Sequence, residues 1–163
     1  MMLHRRTCTA CVTGLRAHKL PWGYNEDAPA ALRLKGELEQ VVQDLQLLGY
    51  TDFICGMATG ADTFFAEAVL NQRGRLIAAI PYPHQERGWP EDYQARYRDL
   101  LSLACEQHLI SEDYTPDAPL RRNRWMVDRA SAVVVVWDGQ PGGTASTVRY
   151  AKKWDKNLIY VQL

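Results

Sequence analysis

The sequence has no excess charge of either sign and no long hydrophobic run. Its 19 lysine and arginine residues equal its 19 aspartate and glutamate residues, so the formal net charge is zero. A protein without a strong overall field is not drawn to nucleic acid or to an anionic membrane, and we expect neither as a partner. No stretch approaches the roughly eighteen apolar residues of a membrane span, and no apolar leader with a cleavage site is recognised near residue 1. These absences predict a cytoplasmic protein.

Cysteine is scarce, with four residues among 163. Cys8, Cys11, Cys55 and Cys105 lie in or beside apolar runs, which is typical of reduced, buried thiols rather than of a secreted disulfide framework. Cys8 and Cys11 form a CxxC pair, but a zinc site needs a second pair at similar spacing. We therefore expect core packing for the cysteines and no metal site.

Length and patterning indicate one globular domain over residues 1–163, with 47% hydrophobic and 23% charged residues. Short β-rich apolar runs alternate with longer segments of helical period, the pattern of a parallel sheet covered by helices. The sequence predicts a single Rossmann-like, three-layer α/β/α domain with a mainly parallel sheet of about six strands.

The predicted elements are six strands and five helices. The strands are 7–13, 52–55, 76–80, 108–111, 132–137 and 158–162, and the helices are 30–48, 60–72, 91–106, 120–130 and 144–154. In the first helix, apolar residues recur at spacings of three and four, which predicts one buried face. That face is formed by Leu34, Leu38, Val41, Val42, Leu45 and Leu48.

Three strand-to-helix turns, 12–16, 56–62 and 138–144, are crowded with small residues. Because parallel strands place these turns on one edge of the sheet, we expect them to converge. Glycine lets backbone N–H groups approach a ligand, and each following helix offers its positive dipole end to an anion. The predicted phosphate-binding residues are Thr13, Gly14, Arg16, Gly56, Ala58, Thr59, Gly60, Asp62, Gly142, Gly143, Thr144 and Thr147.

Arginines 121, 122 and 124 open the predicted helix before the fifth strand. Cations at a helix start oppose the helix dipole. Arg122 and Arg124 are therefore predicted to have an anionic partner in the ligand, and a solvated or salt-bridged face is the alternative.

Catalytic groups are few. Asp62 and Glu67 are the weak candidates, but their spacing of five residues points the two side chains apart. Asp62 is equally expected to cap the second helix, and Glu67 to bind a ribose or base or to pair with an arginine. The ring-rich loop 81–90 has two interpretations: Gln85 and Trp89 contact a base, or the loop folds over the sheet.

The segments VTGLR (12–16), GMATGAD (56–62), PYPHQERGW (81–89), RRNRWMVD (121–128) and VVVVWDGQPGGTASTVRYAKK (133–153) together resemble the YpsA-like family of the SLOG superfamily. That superfamily groups the DNA-processing protein DprA with the Lonely guy (LOG) phosphoribohydrolases. The resemblance implies a bacterial protein with a Rossmann-like sheet that binds a nucleotide or its derivative. The positions it matches are Gly14, Arg16, Gly56, Gly60, Ala61, Asp62, Arg122, Asn123, Arg124, Gly142, Gly143 and Thr144.

The chain departs from its relatives at two places. Leu15 stands where the family usually has a histidine. LOG enzymes carry PGGxGTxxE, whereas here Ala145 and Ser146 replace the Gly-Thr pair and Arg149 takes the position of the hydrolytic glutamate. Without that carboxylate the LOG reaction is not expected.

Three functions follow as hypotheses. The favoured one is a nucleotide sensor or regulatory module that binds a nucleotide or nucleotide-sugar ligand and signals to a protein partner, with no other cofactor. The second is a nucleotide N-glycosidase or hydrolase using Asp62 or Glu67. The third is DprA-like binding of single-stranded DNA, against which the neutral net charge counts. Five tryptophans and eight tyrosines also predict self-association as a homodimer.

Overall fold

Six strands and five α-helices alternate along the chain in a computed structural model that describes residues 8–163. The strands are β1 (Thr9–Gly14), β2 (Asp52–Cys55), β3 (Arg75–Ile80), β4 (Glu106–Leu109), β5 (Ala132–Val136) and β6 (Asn157–Val161). The helices are α1 (Pro29–Leu47), α2 (Ala61–Asn71), α3 (Glu91–Leu103), α4 (Ala118–Arg129) and α5 (Gly143–Lys153). A short 3-10 helix, Ala17–Lys19, follows β1.

The strands form one open sheet in the order β4-β3-β2-β1-β5-β6, and every neighbouring pair is parallel. One core cluster joins the sheet to α1, α2 and α3, and a second joins it to α4 and α5. This confirms the predicted three-layer α/β fold with six parallel strands. The chain builds outwards from β1 to β4 and then returns to β5, so the strand order reverses between β1 and β5. In open α/β sheets a crevice lies at that point, outside the carboxyl ends of the strands.

The central strands are fully buried because helices cover both faces of the sheet. All five residues of β5 are buried, which explains its unbroken apolar run. The edge strand β4 has the sequence EQHL and is mostly exposed. Its boundaries were therefore predicted poorly: α3 ends at Leu103 and the strand begins at Glu106, where the sequence predicted a helix to 106 and a strand over 108–111.

The predicted apolar face of α1 is largely confirmed. Leu34, Leu38 and Leu45 are buried against the sheet. Leu48 is 74% exposed because the helix ends before it, so its place in the predicted face is wrong.

The cysteines divide between the core and the surface. Cys11 and Cys55 are buried on the two central strands β1 and β2, whereas Cys105 is exposed in the turn before β4 and Cys8 is partly exposed. The prediction of four buried thiols is thus wrong for Cys105 and Cys8, which flank strands rather than lying within them. Residue 7, where the first strand was predicted to begin, lies outside the described residues.

A partly buried carboxylate fastens the segment between β1 and α1 to α3. Glu26 accepts hydrogen bonds from Tyr93 Oη at 2.7 Å and Arg96 Nη1 at 2.6 Å, and it pairs with Lys35 Nζ at 2.9 Å. Burial by itself raises the pKa of Glu26, but the hydrogen bonds from Arg96, Tyr93 and Lys35 outweigh burial and lower it to about 2.

We expect Glu26→Gln to lower the free energy of unfolding by about 2 kcal/mol at pH 7, after allowance for solvent screening of the partly exposed pair. A carboxyl group whose pKa is depressed in the folded state stabilises the fold above its unfolded pKa and loses that effect as the pH falls. The difference between wild type and variant should therefore shrink below pH 4.5 and vanish near pH 2. Denaturant unfolding across this range measures it, with Glu37→Gln as control, since Glu37 is exposed and forms no ion pair within residues 8–163. A difference that stays constant with pH would contradict the assignment.

None of the helices within residues 8–163 is both long enough and apolar enough to cross a membrane.

Candidate functional site

An open cleft of about 780 Å³ lies at the carboxyl edge of the sheet, where the strand order reverses between β1 and β5. Its walls come from the turn after β1, the start of α2, the start of α4, and the turn that joins β5 to α5. Of the residues predicted for the site, nine line this cleft: Thr13, Gly14, Arg16, Ala58, Asp62, Arg122, Gly142, Gly143 and Thr144.

Two of the predicted glycines bring the first two turns into contact. A Cβ atom added to Gly14 would lie 2.6 Å from the Cβ of Ala61, and one added to Gly60 would lie 2.6 Å from the carbonyl oxygen of Leu15. Gly60 also has a φ of +85°, a backbone conformation that L side chains rarely adopt. The space beside both glycines is filled by the protein itself. They position the turns, and Gly60 does not line the cleft.

The start of α5 is different because the space beside Gly143 is open. Gly142 is the N-cap residue and no side chain caps the helix. The first helical hydrogen bond runs from Ser146 N to Gly142 O, which leaves the N–H groups of the first turn without intrahelical acceptors. A Cβ added to Gly143 would meet no atom within 4 Å. Donors and the positive end of the helix dipole are thus presented to the cleft.

Two cations stand beside this helix start. Lys19 Nζ lies 3.3 Å from where a Cβ of Gly142 would be, and Arg16 lines the same cleft. Both side chains are exposed, and within residues 8–163 neither forms an ion pair. Positive charge next to a helix N-terminus is electrostatically unfavourable unless an anion lies between them. The arrangement therefore suits an anionic group.

Lys19 was not predicted from the sequence. The segment between β1 and α1 carries no clear periodicity, so the sequence predicts no position for this lysine. Its 3-10 turn, Ala17–Lys19, carries the side chain back towards α5. The only signal in the sequence was a lysine five residues after Gly14, and this pattern is too common to predict a binding residue by itself.

Arg122 is buried beneath the cleft and is already hydrogen bonded to the protein. Its Nη1 donates to the carbonyl oxygens of Gly56 at 2.7 Å and Ala79 at 3.3 Å, and its Nε donates to Asn123 Oδ1 at 2.8 Å. A Cβ on Gly56 would lie 2.6 Å from the guanidinium. Burial lowers the pKa of Arg122, while Asp62 opposes that shift. Arg122 thus ties the ends of β2 and β3 together at the cleft floor.

Asp62 lies at the cleft floor as well. Its Oδ2 accepts a hydrogen bond from Ala58 N at 3.1 Å and so closes the turn after β2. Burial raises the pKa of Asp62, and the charge of Arg122 and the Ala58 N–H group counteract the shift. The prediction that Asp62 caps α2 is wrong, because the N-cap residue is Gly60 and no side chain caps that helix.

The remaining predicted residues do not line the cleft, and most contact other parts of the protein. Thr147 Oγ1 donates to Gly143 O at 2.9 Å, and Thr59 Oγ1 accepts from Ala17 N at 3.4 Å. Glu67 pairs with Arg96 on the far side of α2, which was one of the alternatives for this residue. The predicted site residues that lie outside the cleft lining are Gly56, Thr59, Gly60, Glu67, Arg124 and Thr147.

The ring-rich loop 81–90 folds over the sheet, which was the second of its two interpretations. Gln85 is buried and its Nε2 donates to Gly56 O at 3.0 Å. The ring of Trp89 packs edge-on against Tyr97 at 5.4 Å between centroids. Neither side chain lines the cleft.

The cleft also has an apolar wall that was not predicted. It consists of Pro116, Pro119 and Leu120, with Trp137 at the end of β5. The Trp137 indole donates to Gln140 O at 2.8 Å, which leaves its ring as apolar surface. Two prolines framing a helix start were the available sequence signal. Within residues 8–163, no group of three or more His, Cys, Asp or Glu side chains is placed to hold a metal ion.

Similar proteins are found among curated sequences and solved structures. The uncharacterized SPbeta prophage-derived protein YoqJ of Bacillus subtilis (strain 168) is 29% identical over 143 residues, which cover 77% of this chain and 84% of YoqJ. DprA from Streptococcus pneumoniae matches with a TM-score of 0.65 and 18% identity, over 93% of this chain and 49% of DprA. TM1055 matches with a TM-score of 0.60 and 17% identity, over 92% of this chain and 71% of TM1055. The chain therefore spans about half the length of the pneumococcal DprA, and these structures show a shared fold.

The expectation that nucleic acid is not a partner is contradicted. DprA from Helicobacter pylori, whose structure is described by its single-stranded DNA binding mode, has this fold with a TM-score of 0.62 and 18% identity, over 93% of this chain and 64% of that one. Zero net charge does not exclude such binding, because a polyanion responds to the local distribution of charge rather than to its sum.

The family resemblance drawn from the turns is confirmed. The YpsA model, described as the YspA SLOG family, matches residues 10–161, which is nearly the whole chain. The chain therefore belongs to the YspA SLOG family.

Proposed function

We propose that the cleft binds a nucleotide or a related phosphorylated ligand, with its phosphate at the start of α5. One observation carries this proposal: the uncapped N–H groups around Gly143 and the ammonium of Lys19 face the same open space. A phosphate there accepts hydrogen bonds from the helix start and relieves the repulsion between the dipole and the cation. Arg16 supplies a second charge, and the hydroxyl groups of Thr13 and Thr144 supply further donors.

The rest of the cleft suits the apolar part of such a ligand. Its volume of about 780 Å³ lies within the range of small-molecule sites, roughly 300–1,000 Å³. The wall of Pro116, Pro119 and Leu120 gives the same cleft an apolar surface. A ligand with an anionic head and a planar ring system therefore matches both the polar and the apolar lining.

The residues of the cleft favour binding of the nucleotide without its hydrolysis. Arg149, which stands where LOG enzymes have their glutamate, is exposed on α5 and does not line the cleft. A module that binds a nucleotide and is then recognised by a protein partner needs no carboxylate at that position. Such a sensor role rests on the cleft and on family membership.

The experiment is to denature the purified protein, identify released small molecules by mass spectrometry, and measure thermal shifts with adenosine, guanosine, cytidine and uridine 5′-monophosphates. At one hundred times its Kd a ligand stabilises the fold by about 2.7 kcal/mol. For the nucleotide that binds, Lys19→Gln should raise the Kd at least fivefold, because one charge contact to the phosphate is lost. Arg33→Gln, an exposed change on α1, is the matched control. No released ligand together with no shift for any nucleotide would reject the proposal.

Hydrolysis is the second candidate, and Asp62 is the observation that favours it. A buried carboxyl with a raised pKa at the floor of a cleft is typical of groups that transfer protons. If the protein is a nucleotide N-glycosidase, incubation with the bound nucleotide releases free base, and Asp62→Asn abolishes that release while binding persists. Intact nucleotide after prolonged incubation with wild type would eliminate this candidate.

A further inference from the structure

The two helical layers of the protein carry opposite charge. Helices α4 and α5 together contain five arginines and two lysines but one aspartate, a net charge of six positive. Helices α1, α2 and α3 contain eight acidic and four basic residues, a net charge of four negative. The zero net charge of the chain thus conceals a strongly basic face.

Most cations on the basic face have no acidic partner. Among the described residues, Arg124, Arg129, Arg149, Lys152 and Lys153 are exposed and form no ion pair. On the opposite layer, by contrast, Lys35, Arg96 and Arg98 all pair with glutamates.

The helix dipole explains only part of the basic face. Arg129, Lys152 and Lys153 occupy last helical turns, where a positive charge is favourable. Arg124 and Arg149 lie inside their helices, where the dipole gives no such reason. A surface that keeps these cations together against their mutual repulsion is suited to an anionic partner.

Aromatic rings alternate with these cations. Arg129 lies over the Trp125 ring at 3.8 Å, Arg124 over the Tyr150 ring at 5.3 Å, and Lys153 over the Trp154 ring at 5.6 Å. Trp154 is 55% exposed.

The two helices form one continuous surface. Tyr150 Oη donates to Asp128 Oδ1 at 2.6 Å, and Asn123 Nδ2 donates to Thr147 Oγ1 at 3.0 Å. These contacts join α4 to α5 along their length and hold the rings and cations of both helices side by side.

We propose that the α4–α5 face binds single-stranded nucleic acid. The unpaired arginines and lysines contact successive phosphates, and the rings of Tyr150 and Trp154 stack with bases. A duplex is a poorer match, because α4 and α5 both lie packed on the sheet and neither projects as a recognition helix. An acidic protein segment satisfies the cations but gives no reason for the rings of Tyr150 and Trp154.

This surface is separate from the cleft at the sheet edge. None of Arg124, Trp125, Arg129, Tyr150, Lys153 and Trp154 lines that cleft. The proposal therefore does not depend on the nucleotide site, and either can fail without the other.

Fluorescence anisotropy of a labelled twenty-nucleotide oligo-dT at low salt tests the proposal. The triple variant Arg124→Glu, Arg129→Glu, Lys153→Glu should weaken binding at least thirtyfold and reduce the salt slope by about 2, since each phosphate contact on a single strand contributes roughly 0.7. A control with the same change in net charge, Arg33→Glu, Arg73→Glu, Arg87→Glu, uses exposed arginines elsewhere and should change affinity by less than about threefold.

A second variant separates stacking from charge. Trp154→Ala should weaken oligo-dT binding at least fivefold while leaving the melting temperature unchanged, because the ring is largely exposed. Equal losses in the two triple variants, no measurable binding by wild type, or equally tight binding of a poly-glutamate peptide would each overturn the proposal.

Discussion

Gly143→Trp is expected to abolish nucleotide binding while leaving the fold intact. Gly143 is the first residue of α5, its φ is not positive, and a Cβ atom added there would meet no protein atom within 4 Å. The free protein should therefore unfold within about 0.5 kcal/mol of wild type. A tryptophan at this position would occupy the space in which the phosphate approaches the helix start. The stabilisation of about 2.7 kcal/mol at one hundred times Kd should disappear.

Gly36→Trp is the matched control for that experiment. Gly36 is exposed on α1, and a Cβ there also meets nothing within 4 Å. This variant should bind nucleotide as wild type does. A full thermal shift in Gly143→Trp would show that the ligand lies elsewhere, and loss of the shift in both variants would point to a general effect of the added ring.

Gly60→Ala is expected to destabilise the protein by about 3 kcal/mol or more. A methyl group would lie 2.6 Å from both Ala17 N and Leu15 O. Both are hydrogen-bonded backbone atoms with little freedom to move: Leu15 O accepts from Ala61 N at 3.1 Å, and Ala17 N donates to Thr59 Oγ1 at 3.4 Å. The positive φ of Gly60 adds strain to the collision. Equilibrium unfolding in denaturant measures the effect.

Gly139→Ala isolates the contribution of backbone conformation. Gly139 has a φ of +83°, close to the +85° of Gly60, but a Cβ there meets nothing within 4 Å. We expect a loss of about 1 kcal/mol from strain alone. Similar losses in the two variants would show that the close approach of the turns contributes nothing measurable.

The central strands were predictable because their chemistry is unambiguous. The strand predicted over 52–55 matches β2, and the strand predicted over 132–137 extends one residue beyond the end of β5. Such segments are apolar on both faces, which is the pattern of a central strand in a parallel sheet covered by helices. The edge strand β4 was misplaced because Glu106 and Gln107 face solvent and give no hydrophobic signal.

The cleft could be predicted in outline and not in detail. Parallel strands bring the turns after β1 and β5 together, which follows from topology alone. Sequence does not distinguish a glycine that faces open space, such as Gly143, from one pressed against its neighbours, such as Gly60. That distinction depends on distances across the sheet. Lys19 was missed for the same reason, because its approach to α5 depends on the path of an irregular segment.

Net charge is a poor guide to partners here because it sums over surfaces that a partner never contacts together. The opposite charges lie on opposite faces of the sheet, and the helices that bear them are separated in sequence. Only the fold shows that α4 and α5 share a layer.

Self-association and the single-domain organisation over residues 1–163 stay predictions.

The most direct test of the phosphate position is a two-dimensional NMR titration with the nucleotide that binds. We predict the largest amide shifts at Gly143 and Thr144 in the first turn of α5, with Lys19 moving in parallel. Saturation of the protein with no change at those amides would contradict the proposed phosphate position.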